Sequence, residues 1–467
     1  MELARLGGLL LCLALAAPAS AATFVVNGTA DTTDGACDPA PGGCTLREAI
    51  EAAVATPGRD TIRFDASAFP HGPAPVPIPL ASALPVIADP AGTVIDGSGA
   101  SVRITGSPSI ADGLVFASAP GVPLAGVTVA NVSLDRFQGN GVEICGGVPP
   151  QCDGDVTGAL VQHVFVNGTG RSGIAVIGGV VKKAQVVDSV TSRTDQFGIA
   201  FIASSLVGAR VTGCTASRSR LDAIFLDASE QRGCVVVDSF GLSSSEGQGI
   251  GVFAADGVAK LKMANVVAFD VATNGIGIQA AGVVAPKLSD VVASGASVSG
   301  VEMTAQETTA PVVEKLVADA NGFFGVSLDG PVTGGEISQA HVYRHDGAGI
   351  AAAGADGLRL SRIASAENAD GIFLAGSNST IEGVHASHNI VGIEVSAGDG
   401  NTITKNASTG NEASGRGIVI DADSHANVID QNVALGNDPD LFDANPACDA
   451  NVWSDNSFGT RNEPCIH

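Results

Sequence analysis

A glycine (once an alanine), then Ile or Val, then any residue, then usually a bulky apolar residue: this short pattern recurs twelve times along the chain. It starts at Gly141, Gly173, Gly198, Ala223, Gly249, Gly275, Gly300, Gly325, Gly349, Gly371, Gly392 and Gly417, at steps of 21–26 residues apart from one of 32. Apolar and polar positions alternate around each start with a period of two, which is the signature of strands and not of helices. About ten residues before the glycines stand Asp188, Gly213, Asp238, Asn265 and Asp290, with Asn406 and Asn432 in the like place near the end. Asp, Asn and Gly tolerate the left-handed backbone that a tight bend requires. Short strands at this period with a stacked bend predict an all-β fold, a right-handed parallel β-helix solenoid of about twelve or more rungs. At about 4.8 Å per rung the rod is roughly 60 Å long. A solenoid buries its core between neighbouring turns, so residues 22–467 are expected to form a single domain.

Both ends of such a rod need covers, because an open end exposes strand edges and apolar core. Thr45-Leu46-Arg47-Glu48 reads as a capping box opening a short helix, with Leu46, Ala49, Ile50 and Ala53 on one face. Residues 22–66 are thus the expected N-terminal cap and 438–467 the C-terminal one, where Trp453 would pack over the last rung. The Pro-rich stretch Pro70–Pro90 reads as an irregular first turn. Cysteine spacing suggests the local closures Cys37–Cys44, Cys145–Cys152 and Cys448–Cys465, and the second of these falls inside the long step. Cys214 plus one period is Ser239, while Cys234 lies five residues earlier. Five extended residues span about 16 Å, too far for a bond needing Cα atoms within roughly 7 Å, so a disulfide there is disfavoured unless a bend shortens the path, and the pairing of Cys214 and Cys234 stays open.

The first 21 residues read as a signal peptide: Arg5, the apolar run Leu6–Ala17 and an Ala19-Ser20-Ala21 cleavage site. Export, to the periplasm or beyond the cell, agrees with eight remaining cysteines and no CxxC motif. No later apolar run reaches transmembrane length. The formal charge of −24 argues against a nucleic-acid partner, which needs a basic face.

Candidate chemistry is sparse. The outward positions of the strand after each repeat glycine run Glu143, Ala175, Ala200, Phe225, Gly251, Gly277, Glu302, Ser327, Ala351, Phe373, Glu394 and Val419, mostly small or apolar. Glu302 and Asp329 sit diagonally on neighbouring rungs, roughly 8 Å apart between Cα atoms, a spacing that suits an inverting pair of carboxyls. His345, Glu367 and His388 each lie four residues before a repeat glycine, and with Glu394 they are the expected catalytic candidates as general acid and base. Beside them Asp346, Asn368, Asn389, Asn411 and Asn437 read as a turn ladder. Arg193 and Arg218 share a register with Arg171 and Arg220 nearby, and Asp195 and Asp222 stand in positions to neutralise them. Asp438, Asp440, Asp443, Asp449 and Asp455 could offer oxygen ligands to Ca²⁺, although no EF-hand or nonapeptide pattern is present. No other cofactor is expected.

The segment from Thr23-Phe24-Val25-Val26-Asn27 through Cys44-Thr45-Leu46-Arg47-Glu48-Ala49-Ile50 resembles the opening of bacterial exported proteins carrying a CSLREA segment, with Thr45 in place of Ser. Gly58–Phe64 and Thr93–Gly97 fit the same opening turns. The ending Asn445–Ile466 is similar to the closing segment of right-handed β-helix proteins of the pectate-lyase-like superfamily. The resemblance implies export and fold. It implies no single reaction, since that superfamily holds lyases, hydrolases, epimerases and non-enzymatic surface proteins. The expectation is therefore a non-catalytic β-helix that binds an extracellular polysaccharide or cell surface, or has a structural role. The alternative is a polysaccharide lyase or glycoside hydrolase acting along the strand face. One Trp and one Tyr in the whole chain favour the first.

Overall fold

The computed structural model describes residues 21–411 and 415–467, so the leader expected over 1–21 lies, Ala21 apart, outside the described residues. The chain coils into a parallel β-solenoid of about 15 turns. A sheet of 17 strands forms one face, and a second of 30 strands bends round a corner to form two more. We call these the narrow sheet and the folded sheet.

The repeat positions stack as their spacing requires. Val142 pairs with Ile174, Ile174 with Ile199, Ile199 with Ile224, and the row continues to Ile393 and Ile418. Every Ile or Val of this row is buried. The row also extends to Leu114 before it and Leu441 after it, two turns the Ile/Val criterion passes over. The repeat glycine has a steric cause. A Cβ at Gly249 would lie 2.7 Å from the carbonyl oxygen of Gly275, and one at Gly275 would lie 2.6 Å from that of Gly300. Close approach between rungs, and not a left-handed backbone, therefore selects glycine here.

The bends divide into two kinds. Asp188, Asp238, Asn265 and Asp290 do take left-handed φ values of 45–53°. Asn406 and Asn432 do not: the left-handed residues of those turns are Lys405 and Gln431, and each asparagine stands one place on, pointing into the core. The backbone N–H of Asn406 donates to Asn432 Oδ1 and that of Asn432 to Asn456 Oδ1, both at 3.0 Å. A second ladder runs Asn401–Asn427–Asn451. The third runs Asn321–His345–Asn368–Asn389–Asn411–Asn437 and ends on Asp440. In the C-terminal half all three corners of the solenoid are thus tied internally by side-chain amides, which satisfy backbone groups that water cannot reach.

Both covers form. Helix Leu46–Ala55 carries the complete Thr45–Glu48 capping box and buries Leu46, Ala49, Ile50 and Ala53. Trp453 is buried, its Nε1 donating to Asp443 at 2.8 Å. The three expected disulfides are present, and Cys214 and Cys234 are free, buried thiols. Burial pushes both thiols up to about 11, which keeps them unreactive. Within the proline-rich stretch Val76–Pro79 is a regular strand, paired with Val102–Thr105, so only its flanks are irregular.

Candidate functional site

The narrow sheet presents the outward row expected from the sequence: Glu302, Ser327 and Ala351 are register partners on successive rungs, and Ala351 pairs in turn with Phe373. Small side chains in the middle of that row make a floor. Phe323 and Phe324, from the turn entering the next strand, stand beside it with ring centroids 4.6 Å apart and planes at 89°. The result is an open groove of about 590 Å³ lined by Ser327, Ala351 and Ala353 below, by Phe323, Phe324 and Phe373, and by the carboxylates of Glu302, Asp329 and Asp370. Thr304 pairs with Asp329, which gives Glu302 and Asp329 the diagonal relation read from the sequence. Among the described residues no lysine, arginine or histidine lines the groove. Farther toward the N-terminus the same face carries a run of rings: Phe197 stacks on Phe225 at 4.0 Å, and Phe225 lies 5.5 Å from Phe253.

Beyond the groove Glu394 pairs with Phe373 on the outward row. Burial, aided by the nearby carboxylates of Asp370 and Asp421, raises its carboxyl to about 7. Asp370 is raised by burial as well. Glu394 is therefore partly protonated near neutrality, which lets its carboxyl donate as well as accept hydrogen bonds.

The structure gives the histidine candidates different settings. His345 pairs with Asn368, not with Glu367, because the turn after His345 is one residue longer than the turn after Asn368. It occupies a rung of the internal ladder, a place the sequence reading gave to Asp346. It is 3 % exposed, and Nδ1 accepts the Asn321 N–H at 3.2 Å. Its Nε2 is buried without a hydrogen-bond partner. Glu367 and His388 instead take the left-handed bend position, as Arg344 does, and are exposed. Glu394 lies on the narrow sheet. The four residues are thus set in the core, at a corner and on a face, although His345, Glu367 and His388 all line one shallow hollow of about 520 Å³.

His345 in an asparagine ladder gives a direct expectation. His345→Asn should supply an amide whose N–H₂ and C=O both find partners, as at Asn368 and Asn389, and raise stability by about 1 kcal/mol. Burial lowers the imidazole pKa below its usual 6.5. The unfolded chain therefore binds this proton more readily, and the wild type loses stability as pH falls below 6.5. Urea unfolding at pH 5 and pH 8 checks both points: the gap between variant and wild type should widen in acid.

The acidic C-terminal cap is used internally. Asp440 accepts from Asn437, Gly459 and Thr460, and Asp443 from Asn445, Asn451 and Trp453. Asp449 pairs with His425 at 3.0 Å. Among the described residues the three-residue group of possible metal ligands, Glu143 with Cys145 and Cys152, has both sulfurs in a disulfide.

Residues 274–434 and 324–463 match the family model described as right handed beta helix region. Several solved structures are similar at low identity. The mannuronan C-5 epimerase AlgE4 A-module of Azotobacter vinelandii is 16 % identical, with a TM-score of 0.38, over 80 % of this chain and 92 % of that one. Tailspike protein 3 of bacteriophage CBA120 is 13 % identical, with a TM-score of 0.41, over 88 % of this chain and 58 % of that one. The surface protein and adhesin PfbA of Streptococcus pneumoniae is 11 % identical, with a TM-score of 0.33, over 88 % and 94 %. No curated protein matches. Family match and stacked register agree on the fold: the chain is a parallel β-solenoid, and its residues 274–463 match the right-handed β-helix model.

Proposed function

We propose that this is an exported β-helix protein that binds an uncharged glycan along its narrow sheet, without turning it over. The observation that carries the reading is the groove itself: an alanine and serine floor, phenylalanine walls and carboxylates at the rim. Rings that meet the C–H faces of a sugar while carboxylates accept from its hydroxyls suit a neutral polysaccharide. The absence of any cationic side chain from the lining disfavours uronates, whose carboxylate needs a partner. It also leaves a lyase or epimerase without a cationic side chain to stabilise a charged intermediate. The three disulfides support a place outside the reducing cytoplasm.

A second reading has one observation behind it. Glu302 and Asp329 flank the same groove diagonally, as an inverting hydrolase would place them. A panel of soluble neutral glycans (xylan, mannan, β-glucan, dextran) beside pectate and alginate, read by affinity and by reducing-end release, separates the two. Binding to a neutral glycan that Phe373→Ala weakens about tenfold is the expected result, about 1.4 kcal/mol for one stacked ring. Reducing ends released by the wild type and absent with Glu302→Gln would replace binding by hydrolysis. Tightest binding to pectate that Phe373→Ala weakens would overturn the assignment of an uncharged ligand.

A further inference from the structure

The folded sheet carries a feature that the groove leaves unused. The strands Ser133–Phe137, Phe165–Thr169, Val190–Thr194 and Thr215–Ser219 pair in strict register, each with a left-handed bulge at its fourth residue. Those four residues are Arg136, Gly168, Arg193 and Arg218. They form a line parallel to the solenoid axis with one rung, about 4.8 Å, between neighbours. Gly168, with no side chain, leaves a notch about two rungs wide between Arg136 and Arg193. A shallow groove of about 430 Å³ lies there, lined by Arg136, Phe137, Gly168 and Arg193 with Asp195 at its edge.

The expected neutralisation of this line does not occur. Asp222 is buried against the narrow sheet over Gly251, away from the arginine line, and accepts the Gln248 N–H at 2.7 Å. Arg220 pairs with Glu246 at 2.8 Å, and exposed Arg136 meets Asp135 at 3.3 Å. Arg171, Arg193 and Arg218 have no acidic partner within 4.0 Å among the described residues. Three exposed unpaired guanidinium groups on neighbouring turns are unusual in a chain of net charge −24. The remaining acidic surface does not cancel them at a distance, because physiological salt screens charges beyond about 8 Å.

We propose that the Arg136–Gly168–Arg193–Arg218 line is a second binding site, for an anionic polysaccharide lying along the solenoid axis. Its carboxylate or sulfate groups pair with the guanidinium forks, and one of them enters the notch over Gly168. A linear polyanion fits better than a compact anion because the cations are collinear and repeat with the rungs. Guanidinium suits planar, bidentate pairing with such oxyanions. Asn167, Ser192 and Ser217, one residue before the line, offer hydroxyls and an amide to the sugar ring.

The test is calorimetric titration of the full mature chain with polygalacturonate, dextran sulfate and plain dextran; the first two distinguish carboxylate from sulfate. Binding to at least one of the polyanions is expected, weakening about tenfold between about 50 mM and about 300 mM salt as screening shortens. The double variant Arg193→Ala/Arg218→Ala should lose at least tenfold in affinity. Gly168→Glu should do the same by placing a carboxylate in the notch, where a Cβ has room: its nearest neighbour is the Arg136 nitrogen at 3.9 Å. Arg193→Lys should lose less than Arg193→Ala. Unchanged circular dichroism in each variant shows that the fold is kept. Polyanion binding that survives both Gly168→Glu and the double variant, or no polyanion binding at all, overturns the proposal. Neither outcome bears on the neutral-glycan groove, whose residues lie on the other sheet.

Discussion

Asn389→Ala is expected to destabilise the protein by about 3 kcal/mol, more than almost any other single polar substitution. Asn389 is fully buried and accepts the Asn368 N–H at 3.0 Å and the Asn368 side-chain amide at 3.1 Å. It donates from its own amide to the Ser365 carbonyl at 3.2 Å. Removing it strands a buried N–H and a buried C=O, each costing about 1–3 kcal/mol. Asn389→Asp separates this account from simple loss of volume. The carboxylate keeps the acceptor but turns its second oxygen toward the Ser365 carbonyl, so the penalty should be at least as large at pH 8 and ease in acid. Urea midpoints at both pH values test it, and an Asp variant as stable as wild type at pH 8 would disprove the ladder's role.

Asp222→Asn should do the opposite and stabilise the protein by up to about 3 kcal/mol at pH 8. Burial raises the Asp222 carboxyl from 3.8 to about 6, against a single hydrogen bond from Gln248. The folded chain therefore holds this proton more tightly than the unfolded chain. Its contribution to stability is full below pH 3.8 and is lost as pH rises through about 6. At about 1.4 kcal/mol per tenfold change in proton affinity, the ionised form is penalised by about 3 kcal/mol. Asparagine at this register is already in use: Asn140 and Asn274 accept the N–H of Ser172 and Ser299 through the same turn position. Variant and wild type should coincide near pH 4, diverge as pH rises to about 6, and keep the full gap above pH 7. A constant gap across that range would show that the effect is not one of ionisation.

The apolar repeat and the capping box were legible because each is a local pattern with one steric meaning. The disulfides followed from spacing for the same reason. The ladders were not, because a bend residue and its inward neighbour are both drawn from the same few residue types. One residue of difference in turn length, as between His345 and Asn368, moves a side chain from the surface to the core. The groove was half visible. Its floor, Ser327 and Ala351, is in the outward row and looks featureless there, while its walls come from residues on the other side of the bend. The residue just before each repeat glycine, Phe324 or Asp370, carries the missing signal, since it lines the same groove as the outward residue three after it, Ser327 or Phe373.

Strict stacking gives the surface a property that globular folds lack. Any outward row is a linear scale graduated in steps of about 4.8 Å, and the residue on each graduation can change without disturbing its neighbours' backbones. A duplication or loss of one 25-residue turn would lengthen or shorten the separation between arginine line and groove by one graduation while leaving both intact. The distance between two ligands held on this rod is therefore written in the number of turns and can be altered by recombination alone.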